Sequence, residues 1–189
     1  MKRAYIPVIL LLLAGLQSSC LKKYDLKKDI VTIPLYDFEC TAFSGDEYQN
    51  NCVSLDWYVY PAFEVSSTPD RDYKASFDQI DFIYDGMLMT PASKEAEYIR
   101  YQYEEQYEPG SWPIRNNGNM VVTTLQKSDF DTLRYIEAIR PLTLTAASSS
   151  VDIGPGNVVA FDVKRGYGLI YVESGDYTFA KLHIKFTRK

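Results

Sequence analysis

The stretch YTFAKLHIKF at 177–186 alternates polar and apolar residues from Lys181 to Phe186. Thr178, Ala180, Leu182, Ile184 and Phe186 fall on one side, and Lys181, His183 and Lys185 on the other. A period of two marks a strand with one buried face, because successive side chains leave opposite faces of a pleated ribbon. NVVAFDV at 157–163 and YGLIYV at 167–172 come before it, separated by KRG and ESGD. Connections this short join antiparallel neighbours, and KRG predicts a tight hairpin. The C-terminal part of the chain is thereby committed to an antiparallel sheet.

The N-terminal part follows the same rule with more interruptions. VTIPLYDFECTAF at 31–43 alternates, with a change of frame between Leu35 and Tyr36. Pro34 cannot donate a ladder hydrogen bond, so an edge strand with a bulge is expected there. CVSLDWYVYPAF at 52–63 reads as one strand, with Val53, Leu55, Trp57 and Val59 on one face. SFDQIDFIYDG at 76–86 reads as another, with Ile80, Phe82 and Tyr84 on one face, closed by an Asp85-Gly86 turn. MVVTTL at 120–125 and PLTLTA at 141–146 add two short strands. ASKEAEYIRYQYEEQY at 92–107 is a helix or a surface excursion, with Ser93 as its cap. SDFDTLRYIEAI at 128–139 is a helix with Ser128 at the N-cap, Asp131 three later, and Leu133, Ile136 and Ile139 in one row. The fold class expected is all-β: a β-sandwich with one or two peripheral helices, as a single domain over 31–189.

Ahead of that domain stands MKRAYIPVILLLLAGLQSSC. Lys2 and Arg3 form a basic start, and the apolar core from Ala4 to Leu16 falls short of the roughly 20 residues a spanning helix needs. Residues 1–19 therefore read as a signal peptide. Leu16-Gln17-Ser18-Ser19-Cys20 resembles a bacterial lipobox, with its aliphatic residue one position further back than usual. Lipidation of Cys20 would tether the protein to a bacterial membrane, with 20–30 as a charged linker. The address implied is the cell envelope, as an outer-membrane lipoprotein. Its periplasmic face is favoured, and surface exposure remains open.

Charge narrows the partners. Without residues 1–19 all 25 acids remain against 18 of the 20 basic residues, a formal charge of −7. Residues 36–110 hold 16 acids and 4 bases, and residues 111–189 hold 7 and 10. Nucleic acid needs a basic footprint, so it is not expected as a partner. With Cys20 lipidated, Cys40 and Cys52 are left as an even pair beyond the inner membrane, where disulfides persist. Either they are bridged or they are two buried thiols, and strand geometry decides.

Searches for chemistry leave little. His183, the single histidine, alternates with lysines on a presumed solvent face and has no evident acid or cleft. Asp78, Asp81 and Asp85 sit on a strand rather than in a calcium loop. Glu97, Glu104, Glu105 and Glu108 could supply two glycosidase carboxylates, but from a surface segment. The glycines at 154 and 156 make a turn, not a phosphate cradle. Two cysteines and one histidine are too few for a zinc site. No catalytic residue, metal or cofactor is expected. The most serious candidates are aromatic: Trp57, Tyr58, Tyr60, Tyr101 and Trp112, beside Tyr98, Tyr103 and Tyr107 in the acidic half. Flat rings beside carboxylates and amides could receive a sugar face or a protein anchor. The bland alternative is that Trp57 is core and the tyrosines keep their hydroxyls at the rim.

SFDQIDFIYDGMLMTPAS at 76–93 and VDIGPGNVVAFDVKRGYGLIYV at 151–172 carry a resemblance. They are similar to the "IDF-Y" strand with its Thr-Pro step, and to the turn, "G-V-x-F", hairpin and "YGLI-V" pattern, of small uncharacterised lipoproteins of Bacteroides and related Bacteroidetes. The resemblance implies an all-β extracytoplasmic domain and no established activity. The function expected is a non-enzymatic binding or envelope-structural role, with a glycan or an envelope protein as partner. A glycan-binding accessory role is one alternative, and a glycoside hydrolase-like enzyme is another.

Overall fold

The computed structural model describes residues 35–45, 47–66, 74–101, 105–133 and 148–189. The signal peptide, Cys20, the 20–30 tether, residues 31–34, the 141–146 strand, Ile136, Ile139, Tyr103 and Glu104 lie outside the described residues. Two five-stranded sheets pack face to face. The first holds β1 (Tyr36–Phe43), β12 (Phe179–Arg188), β11 (Gly166–Gly175), β10 (Val158–Val163) and β8 (Gly118–Val122), in that spatial order. The second holds β3 (Tyr58–Pro61), β2 (Asn50–Ser54), β6 (Phe82–Tyr84), β7 (Leu88–Met89) and β9 (Ser150–Val151). β4 (Val65–Ser66) and β5 (Ala75–Ser76) form a small parallel pair beside them. The all-β sandwich is as expected.

The alternation in the C-terminal strands does the work it promised. Ala180, Leu182, Ile184 and Phe186 enter the core between the sheets with Val159, Phe161, Ile170 and Val172. Thr178 instead lies exposed, just before β12. Phe82 and Phe161 meet edge to face across the core, with ring centroids 5.0 Å apart. Gly168 has a specific reason to be glycine. A Cβ there would stand 2.1 Å from the Lys185 carbonyl and 2.8 Å from Phe186 Cβ. The KRG hairpin forms with Lys164 and Arg165 as its loop, since Val163 pairs with Gly166. β1 is an edge strand, as Pro34 led us to expect.

Each sheet also covers its outer face. On the first sheet, Val158, Ala160, Leu169 and Tyr171 lie under Phe130 of the single described α-helix, α1 (Lys127–Thr132). Lys185 donates to the Phe130 carbonyl at 3.0 Å and lies over its ring, which closes the end of α1. The cap differs from expectation. Gln126 precedes the helix, and its N–H donates to Asp129 at 2.8 Å, so the box sits two residues earlier than Ser128 and Asp131 would place it. On the second sheet, Cys52, Ile80, Ile83 and Met89 lie under a long excursion that brings Ile99, Tyr101 and Trp112 down onto them. Among its described residues that excursion contains short 3-10 turns at Ala96–Tyr98, Glu105–Tyr107 and Pro109–Ser111, and no long helix. Ser93 does cap its first turn, accepting from the Ala96 N–H at 3.0 Å.

Candidate functional site

The segment expected as one strand over 52–63 is a hairpin. Ser54 pairs with Tyr58, leaving Leu55, Asp56 and Trp57 as a three-residue loop. Leu55 turns into the core, which ties the loop down. The Trp57 N–H donates to the Ser54 carbonyl at 3.1 Å, and Trp57 has φ +75°. Loops of this length commonly end on a left-handed residue, and glycine is the usual occupant. Here a tryptophan fills that position with 54% of its surface exposed. The expectation that Trp57 faces the core with Val53 and Leu55 is corrected: the left-handed turn throws its ring outward.

The five aromatic candidates separate into three places. Trp57 tilts against Tyr36, with ring centroids 6.0 Å apart. Tyr58 and Tyr60 lie 5.9 Å apart, and Tyr60 packs beside the cluster under the excursion. Tyr101 and Trp112 are buried in that cluster. Trp112 lies 5.1 Å from Phe77, and its indole N–H donates to the Tyr107 carbonyl at 3.1 Å. The Tyr101 hydroxyl accepts from Asn51 at 2.8 Å, and burial pushes its phenol pKa up. These two residues hold the excursion in place and are not open to a ligand.

The hairpin bearing Trp57 is clamped by Arg165, which projects from the β10–β11 turn of the facing sheet. Its guanidinium donates to the Gln79 carbonyl at 2.6 Å, Asp81 at 3.1 Å and Ser54 Oγ at 3.2 Å, and it pairs with Asp56. Asp56 also accepts from Arg188 at 2.9 Å. Asp81 is fully buried, with one oxygen taken by the Leu55 N–H and Arg165 and the other without a hydrogen-bond partner. Burial pushes the Asp81 carboxyl up to about 7, against the opposing pull of Arg165 and the Leu55 N–H. Arg188 lies 5.5 Å over the Tyr36 ring, so the aromatic pair and the ion network are one surface.

Beside this surface lie two depressions. One, of about 310 Å³, is lined by Leu55, Lys164, Arg165, Arg188 and Lys189. The other, of about 490 Å³, shares Lys164 and Lys189 and adds Asn117, Asn119, Ser149 and Asp162 among its walls. Sequence reasoning missed this end of the molecule. KRG was legible as a turn, but its two cations were not linked to Arg188, which lies more than twenty residues further on. The surplus of bases after residue 110 was the one signal available.

The remaining candidates are scattered. Cys40 and Cys52 are free thiols, and the expected bridge does not form. Cys40 is on β1 and packs against the core between the sheets. Cys52 is on β2, next to the inward-facing Val53, so it points to the opposite face of the other sheet. Burial pushes both thiols up, Cys40 to about 12. Glu97 pairs with Arg115 at 3.0 Å, and Glu108 with Arg100 at 3.3 Å. Asp85 accepts from Ser44, Asp78 from Ser76, and Asp81 belongs to Arg165. These acids do not converge on one point.

His183 does have acids. Its two ring nitrogens lie 2.6 Å from Glu173 and 3.4 Å from Glu39, and Lys181 reaches Glu173 at 2.8 Å and Glu39 at 4.0 Å. Glu173 sits at a β-bulge between Val172 and Ser174. Among the described residues, Glu39, Glu173 and His183 are the one group of three metal-ligating side chains close together. The two glutamates meet opposite edges of the ring, and Lys181 already bridges them. The arrangement is a closed ring of ion pairs across β1, β12 and β11 rather than a convergent metal cage. No family model, curated protein or solved structure matches the chain.

Proposed function

We propose that the protein is an envelope-tethered, non-enzymatic binding module and that Trp57, braced by Tyr36, offers the stacking face for a saccharide. The observation that carries this reading is Trp57 itself. A left-handed backbone costs a non-glycine residue roughly 1–2 kcal/mol. A bulky ring held there and left more than half exposed gains little packing in return. A ligand that covers the ring would supply the missing contact. Sugar rings present flat C–H faces to an aromatic plane and hydroxyls to surrounding polar groups. Asn117, Asn119 and Ser149 line a depression at the far side of the same sheet, where hydroxyls of further units of a saccharide chain would find polar partners. Glu97 and Glu108, two of the acids that could serve hydrolysis, are held by Arg115 and Arg100, which supports binding over cleavage.

Screening the full chain against host and bacterial glycans tests the platform. Binding that weakens at least ten-fold in Trp57→Gly is expected, because glycine accepts the same backbone and removes only the ring. Uniform absence of binding would sink the reading. The tether is a separate proposal resting on LQSSC. Mass spectrometry of the native N-terminus should find a lipidated Cys20, and an unmodified cysteine there removes the tether.

A further inference from the structure

We infer that the saccharide taken at this end is acidic, carrying carboxylate or sulfate groups that Lys164 and Arg188 meet while a ring lies on Trp57. The inference rests on the carbohydrate reading above and adds the ligand's charge. The whole chain carries a formal charge of −5, yet four cations converge on one small depression at this end. They come from two elements, the β10–β11 turn and the end of β12.

These cations are not equally free. Arg165 spends its donors on Gln79, Asp81, Ser54 and Asp56, and serves to position the hairpin. Lys189 is held by Asp162 and the Val163 carbonyl. Arg188 gives one nitrogen to Asp56 and is half exposed, so the rest of its fork remains open. Lys164 is exposed at the tip of the turn and has no ion-pair partner among the described residues. An unmatched ammonium, a half-used guanidinium and a run of amide and hydroxyl residues line two depressions that share Lys164 and Lys189. A lipid surface would need the cations alone. The exposed Trp57 ring and the amide-lined depression favour a saccharide chain over a membrane.

The test uses matched pairs of probes: oligogalacturonate beside its methyl ester, and a heparin hexasaccharide beside its desulfated form. Vesicles containing phosphatidylglycerol are the third arm. Titration at low salt should show the acidic member of at least one pair binding roughly ten-fold tighter than its neutral partner. That preference should shrink as salt rises. Lys164→Glu, in an exposed turn, should abolish the preference by weakening the acidic member far more than the neutral one. Trp57→Gly should weaken both members alike. Equal affinity for both members, or a preference that survives Lys164→Glu, overturns the acidic inference and leaves the carbohydrate reading standing. No saccharide binding, or binding to vesicles alone, overturns both.

Discussion

The chain's two tryptophans have opposite fates. Trp112 is 4% exposed and Trp57 is 54% exposed. Trp112 follows a 3-10 turn in extended conformation, and its ring drops onto Phe77 with its N–H satisfied by a carbonyl. Trp57 closes a three-residue loop in a left-handed conformation, and its ring stands clear of the core. Composition assigns the two residues the same apolar payload. Backbone geometry decides that one becomes cement and the other becomes surface. An aromatic-rich region is therefore not one site. Here it is a buried brace under the excursion and an exposed platform at the basic end.

The sharpest way to break this contrast is to truncate both rings. Trp112→Ala should destabilise the fold by about 3–5 kcal/mol, as expected for emptying an aromatic-sized space in a core. Chemical denaturation would read this, and hydrogen exchange should rise over 92–113 and not over β10–β12. Arg165→Met should cost a similar amount, about 3–5 kcal/mol, because it leaves the buried Asp81 without its cation and Asp56 with Arg188 alone. Its effect should fall on the Trp57 loop, which it clamps, and spare the Trp112 brace.

Asp81 adds a pH signature to that clamp. Its folded pKa, near 7, lies above the unfolded value near 3.8. Between those values the native state holds a proton that the unfolded chain has released. This contribution therefore makes stability fall as pH rises from about 4 to 7, and level off above, by on the order of 4 kcal/mol at most. Denaturation midpoints across that range should lose the slope in Asp81→Asn. Tyr101→Phe should cost about 1–3 kcal/mol, since the Asn51 amide loses its buried acceptor. Trp57→Gly should be the mildest. Relief of the left-handed strain offsets the freedom glycine gives the unfolded chain, leaving a change under about 1 kcal/mol. In that variant the remaining Trp112 emission should be blue-shifted and protected from acrylamide.

The strands β10 to β12 were legible because short apolar or alternating runs are punctuated by short turns. Asp85-Gly86 was legible for the same reason, and Gly86 takes the left-handed conformation there. The β2–β3 hairpin was not. Leu55, Asp56 and Trp57 contain none of the usual turn residues, and the apolar alternation runs straight through them. The excursion over 92–107 offered capping at Ser93, but its burial is set by contacts of Ile99, Tyr101 and Trp112 with a distant sheet. A helical stripe could not reveal that. Cys40 and Cys52 looked like neighbours because the strands follow one another. The chain places them in different sheets with opposite parity, so the pairing rule failed on topology. The aromatic-rich region was legible, but only the structure separates the exposed Trp57 from the buried Tyr101 and Trp112 and sets it beside Tyr36 and Arg188.

The sheet order carries a consequence for how the chain matures. β1, the earliest described strand, finds its one ladder partner in β12, the last, with Tyr36 opposite Phe186. Nearly the whole domain must be made before that pairing can start. Contacts this distant in sequence put folding on the order of milliseconds to seconds, well behind local hairpin closure. Until β12 arrives, β11 offers an open hydrogen-bonding edge and β1 has nothing to pair with. A chain halted short of residue 179 would thus be sticky, with Tyr36 lacking both its Phe186 stack and its Arg188 cover.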